Sequence, residues 1–170
     1  MEHELFFDGN LKEYSWSIKT GEEVVSQIRE HPPAYLSGGK LDIKTDEESK
    51  FVALHVGIYW GLGVFIIKDF DKVHVMCGSK EMYEILIRQH KTLNQIIDDK
   101  IHFINQLVGH RNLKLEYRLI EPTKNIATKH LSGQNKMSIL FFVLAHRATL
   151  YHQIIQDHIL KILLIHLPFL

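Results

Sequence analysis

Thr45-Asp-Glu-Glu-Ser-Lys-Phe-Val-Ala53 is where the chain changes period. Upstream, apolar residues alternate with polar ones; from Thr45 onward they follow helical spacing. Thr45 or Asp46 is suited to cap a helix whose first turn carries Glu47 and Glu48, acids that the helix dipole favours at that end. Phe51, Leu54, Val56, Ile58 and Leu62 then fall on more than one face, which predicts a well-buried helix ending at Gly61 and Gly63. The sixth residue of the stretch, Lys50, places an amine near the start of that helix.

Working outward, Glu4–Asp8, Glu13–Lys19 and Glu23–Arg29 read as three consecutive strands, joined by Gly9-Asn10 and Thr20-Gly21 into an antiparallel meander. His31–Gly39 is a loop by its Pro and Gly content. Downstream, Lys72–Cys77 alternates Val73 and Val75 against His74 and Met76 as a strand. Ser79 caps a helix running to about His90, and Leu93–Leu107 forms another. Leu113–Leu119 is a last strand, and a further helix starts beyond Pro122. Helix-linked strands after a meander predict an α/β domain built on a mixed five-stranded sheet flanked by helices.

The chain has 170 residues, 45% of them hydrophobic and 24% charged, with a formal net charge of +0. That suits one globular domain with a sizeable core and gives no overall basic field of the kind that announces nucleic-acid binding. The charge is nonetheless uneven: residues 1–49 hold 11 of the 20 acids but only 5 of the 20 Lys and Arg. A single cysteine, Cys77, excludes an internal disulfide and a zinc ribbon. With no signal-like segment at its start, the expected location is intracellular and cytoplasmic.

Four fragments in order, Asp8-Gly9, Thr45…Lys50…Ala53, Cys77-Gly78-Ser79 and Asn125…Lys129…Leu131, resemble the skeleton of the type 1 ribonuclease H family over residues 1–135. The resemblance implies a ribonuclease H-like sheet. It also implies a site in which four carboxylates hold two divalent cations for hydrolysis of the RNA strand of an RNA–DNA hybrid. On this alignment Asp8 keeps the first carboxylate, whereas Lys50, Gly78 and Lys129 stand at the other three. Hard cations need anionic oxygen, and an ammonium group repels them. The expectation is therefore a pseudo-site in which Lys50 or Lys129 pairs with Asp8, with no cofactor. Magnesium enters only under the alternative, an active hybrid ribonuclease in which a bulged helix start lets Glu47 or Glu48 replace the missing ligand.

The family reads hybrids with two asparagines where this chain has Asp46 and Glu47, which bring negative charge toward a polyanion. Lys80, Lys114, Arg118, Lys124 and Lys129 are the candidate phosphate contacts along one sheet edge, with RNA or an RNA–DNA hybrid as partner. The commoner role for such scattered lysines is a solvated surface. His74 and Cys77, three apart in a strand, fall on opposite faces and form no nucleophile pair.

Residues 136–170 form an apolar extension beyond the resemblance, expected to be helical. Arg147, His152, Asp157 and Lys161 interrupt it, so no transmembrane span of about 20 apolar residues is expected. It is a candidate seam for a homo-oligomer through residues 137–170. The reading is a catalytically silent ribonuclease H-like domain serving as a nucleic-acid-associated or scaffold module, with the active ribonuclease and a protein–protein oligomerisation module as alternatives.

Overall fold

A computed structural model describes residues 1–32, 42–88 and 91–133, nearly all within one compact unit, Met1–Ser132. The expectations for residues 136–170, including the oligomer seam, lie outside the described residues. Five strands, β1 (Glu2–Gly9), β2 (Glu13–Thr20), β3 (Glu23–Glu30), β4 (Lys72–Cys77) and β5 (Lys114–Leu119), form one sheet in the order β3-β2-β1-β4-β5. β1, β2 and β3 run antiparallel, while β4 is parallel to both β1 and β5. The α/β reading and the mixed sheet are as the sequence led one to expect.

Alternation along the strands assigns the two faces. Leu5, Phe7, Tyr14, Trp16, Ile18, Val73, Val75 and Cys77 pack together in the core with helix α1 (Asp46–Gly63) and helix α3 (Gln95–Arg111). The lack of a single apolar stripe on α1 is explained by its burial, since Phe51, Val52, Ala53 and Leu54 are all inaccessible. The short helix α4 (Ile126–Leu131) packs on β1 and β2 from the opposite face, where the Ser15 hydroxyl donates to Ala127 O at 2.8 Å. Helix α2 (Lys80–Arg88) leans on β4 and β5. Ser79 precedes it, accepting from Met82 N at 3.4 Å.

Helix α1 begins without a bulge. Thr45 accepts from Glu48 N at 3.2 Å, and the Glu48 carboxylate reaches back to Thr45 N at 3.1 Å, a reciprocal cap that satisfies two orphan amides. Gly9 lets this helix approach the end of β1, because a Cβ there would lie 2.1 Å from Ser49 Oγ and 2.9 Å from the Ser49 carbonyl carbon. The α1–β4 connection contains Phe65 and Phe70 with φ of 61° and 68°, the left-handed region that disfavours bulky side chains. Nothing in the sequence signalled either.

Candidate functional site

Asp8 lies at the carboxyl end of β1, opposite Ser15 in the β1–β2 register and therefore on the α4 face. Beside it is a small cleft of about 180 Å³, bounded by Asp8, Lys50, Gly78, Ser79, Asn125 and Thr128, with Phe7, Met82 and Pro122 closing it. Four separate elements thus bring three of the four aligned positions, Asp8, Lys50 and Gly78, to one place. The fourth, Lys129, is exposed on α4 and does not line the cleft.

The expected ion pair across the site is not formed. Asp8 Oδ2 accepts the Thr128 hydroxyl at 2.5 Å, and Oδ1 accepts the Gly9 amide at 2.9 Å. Among the described residues, neither Lys50 nor Lys129 stands within ion-pairing distance of Asp8. Lys50 turns instead along its own helix to Glu47, Nζ to Oε1 at 3.5 Å. The reason is local: residues three apart on a helix are neighbours, and the Glu47 carboxylate is on the same side of α1 as Lys50. Ser79 donates to the same Glu47 oxygen at 3.5 Å, so Glu47 stands at the rim of the cleft.

Asn125 supports the site from behind. Its Nδ2 donates to Phe7 O at 2.9 Å and its Oδ1 caps α4 by accepting from Ala127 N at 3.0 Å, so one buried side chain fixes α4 against the end of β1. Gly78 faces this amide, and a Cβ at 78 would lie 3.3 Å from Asn125 Nδ2. Asn125 entered the sequence reading only as the first residue of the fourth aligned fragment, and Thr128 gave no sequence signal at all; neither was named as a site residue.

The donor set does not suit the pair of divalent cations that the fold implies. Among the described residues, Asp8 is the sole carboxylate lining the cleft, and both its oxygens already accept hydrogen bonds. Lys50 brings a positive charge to the same wall. Glu48 is not a replacement ligand: it is buried in the cap of α1, accepting also from Lys44 N at 2.5 Å and from Asn94 Nδ2 at 2.6 Å. Burial pushes the Glu48 carboxyl up, but the bonds from Asn94, Lys44 and Thr45 outweigh it and hold its pKa below the usual value. Among the described residues, no group of three or more His, Cys, Asp or Glu is arranged to hold a metal ion.

The candidate cationic residues do not gather on one edge. Lys80, Lys124 and Lys129 follow the carboxyl ends of β4 and β5, whereas Lys114 begins β5 at the other end of the sheet. Lys124 pairs with Glu121 at 3.4 Å, and Arg118 is drawn toward Glu116 at 3.6 Å and His74 at 3.5 Å on the outer sheet face. His74 and Cys77 do lie on opposite faces. Cys77 is buried in the core, and burial alone pushes its thiol up to about 12.

This strand order, with the first helix running under β1 and a cleft at the carboxyl end of β1 beside β4, decides the architecture. The fold is that of type 1 ribonuclease H. The ribonuclease H1 of the halophilic archaeon Halobacterium salinarum superposes with a TM-score of 0.59 at 13% identity, covering 78% of this chain and 99% of that one. The N-terminal ribonuclease H domain of a Mycobacterium tuberculosis protein gives 0.58 at 12% identity, covering 75% and 92%. LC11-RNase H1, in a structure with an RNA/DNA hybrid, gives 0.52 at 13%, covering 74% and 88%. No family model and no curated protein matches the sequence. Within the ribonuclease H frame, Asp8, Lys50 and Gly78 occupy the same end of the sheet, as the alignment of motifs implied. Among the described residues no helix is long and apolar enough to cross a membrane.

Proposed function

We propose that this chain is a catalytically silent ribonuclease H-fold domain acting as a nucleic-acid-associated or scaffold module. One observation carries the reading: among the described residues, the cleft that would have to hold two cations is lined by a single carboxylate, capped by Thr128, with Lys50 on the same wall. Two-metal hydrolysis needs cations held on both sides of the reacting phosphate, and a lone engaged aspartate does not supply that charge. The hybrid bound to LC11-RNase H1 supports an RNA–DNA duplex as the nucleic acid to test first.

The experiment is incubation of a labelled RNA–DNA hybrid with magnesium or manganese, alongside a binding titration at several salt concentrations. Intact hybrid with binding that weakens steeply in salt is expected. Cleavage that disappears in Asp8→Asn would overturn the silent reading. Absence of binding at low salt would leave the scaffold role as the surviving form.

Glu47 favours a second reading. Its carboxylate sits at the cleft rim within 3.5 Å of both Lys50 and Ser79, so it is the acid nearest to a missing ligand. An active enzyme using Glu47 predicts metal-dependent cleavage abolished by Glu47→Gln.

A further inference from the structure

We infer that β3 is a homodimerisation edge, pairing antiparallel with β3 of a second copy about a two-fold axis at Ser26. The strand is eight residues long and, among the described residues, no strand pairs with its outer side. Its sequence, Glu23-Val-Val-Ser-Gln-Ile-Arg-Glu30, contains no Pro or Lys, and its register with β2 runs unbroken without a bulge. Proline, lysine and bulges are among the devices by which monomeric proteins block an open edge, and β3 has none of these three; its charges are Glu23, Arg29 and Glu30.

The direction of its free backbone groups follows from the hairpin. Thr20 pairs with Glu23 across the two residues Gly21 and Glu22, so that closing pair exchanges backbone hydrogen bonds, and pairs alternate from there. Glu23, Val25, Gln27 and Arg29 therefore turn their amides and carbonyls to β2, whereas Val24, Ser26 and Ile28 turn theirs outward. The side chains agree: Ser17 and Ser26, in a pair without backbone bonds, are close enough for their hydroxyls to bond at 2.8 Å.

An antiparallel copy centred on Ser26 then places each Val24 opposite Ile28 and each Glu23 opposite Arg29 of the other copy. Outward groups meet outward groups, the Val24–Ile28 pairs are apolar and the Glu23–Arg29 pairs join opposite charges, while Val25 faces Gln27 and Glu30 comes level with Glu22 beyond the last favourable pair. Shifting the axis by one residue to Gln27 sets Val24 against Glu30 and Val25 against Arg29, losing both kinds of match. Val24 and Val25 are 45% and 38% exposed on this edge, apolar area that such a partner covers. The Arg29 guanidinium lies over the Trp16 ring, 5.1 Å from its centroid. The occupant is thus a second copy of this chain, chosen by charge and register.

The test is the solution mass of the full chain by sedimentation over a range of concentrations. A dimer of twice 19.9 kDa that dissociates on dilution is expected. Glu23→Arg sets two arginine pairs face to face and should raise the dimer Kd about tenfold. The double variant Glu23→Arg with Arg29→Glu restores opposite charges and should bring the Kd back. A monomer at every concentration, or a dimer whose Kd neither variant moves, overturns the proposal; the second outcome places association elsewhere in the chain.

Discussion

The hydroxyl of Thr128 donates to Asp8 Oδ2 at 2.5 Å, tying α4 to the carboxyl end of β1 across 120 residues of sequence. The bond puts a neutral donor where a site built for cations would present a free carboxylate edge. It makes the lone aspartate of the cleft a structural group as well as a chemical one. Thr128→Val keeps the shape and removes the donor, and should lower the unfolding free energy by about 1.5–3 kcal/mol, the range for a hydrogen bond to a charged group. Thr128→Ser should recover most of the loss. Denaturant midpoints of the three proteins check this, and equal midpoints for wild type and Thr128→Val would remove the bond from any account of the fold.

Glu48 is a buried carboxylate, and its work is capping. Glu48→Ala removes acceptors for Lys44 N, Thr45 N and Asn94 Nδ2 together. A loss of about 2 kcal/mol is expected from the cap and the orphaned amide. If Glu48 were instead a metal ligand, the same variant would stay stable while losing a magnesium-dependent rise in melting temperature. Measuring melting curves with and without magnesium separates the two.

Asp71 sets an acid limit on stability. Burial pushes its carboxyl up, but the Met1 amino group, His3 Nε2 at 3.1 Å and Lys68 N at 2.8 Å outweigh that and hold it at about 2, below the ordinary 3.8. A carboxyl depressed in the folded state stabilises above its unfolded value and loses that contribution as the pH falls toward the folded one. About 2 kcal/mol should therefore be present at neutral pH and fade between pH 3.8 and about 2. Asp71→Asn should lower stability at neutral pH and flatten the curve across that window. Urea midpoints at a series of acid pH values provide the measurement.

Phe70 holds φ of 68° with its side chain 72% exposed, so the backbone bears a cost that packing does little to offset. Phe70→Asn, which tolerates the left-handed region, should stabilise the protein by about 1 kcal/mol. Phe70→Val, β-branched in the same conformation, should destabilise it. A fall in melting temperature for the asparagine variant would show that the phenyl ring has a partner that strain alone does not reveal.

Element type and order were legible because they rest on short-range rules. The alternation of Tyr14, Trp16 and Ile18 marked a strand, and Thr45 or Asp46 ahead of the acidic turn at Glu47 and Glu48 marked a helix start. The aligned fragments also forecast which chain ends converge, since Asp8, Lys50 and Gly78 do line one cleft. The partner of Asp8 was not legible. A lysine was expected because opposite charges attract, but Lys50 had a nearer acid in Glu47, one turn back on its own helix, and the bond to Asp8 went to Thr128. The scattered cations likewise looked like an edge only until β5 separated Lys114 from Lys124.

By itself the sequence determined the strands and the helices, because periodicity and capping are local properties. Only the tertiary structure decided that Asp8 is closed by a hydroxyl, that Glu48 belongs to a cap and that, among the described residues, no strand pairs with the outer side of β3. Those outcomes depend on which side chains reach a given point in space first, and distances between elements far apart in the chain are set by packing of the whole core.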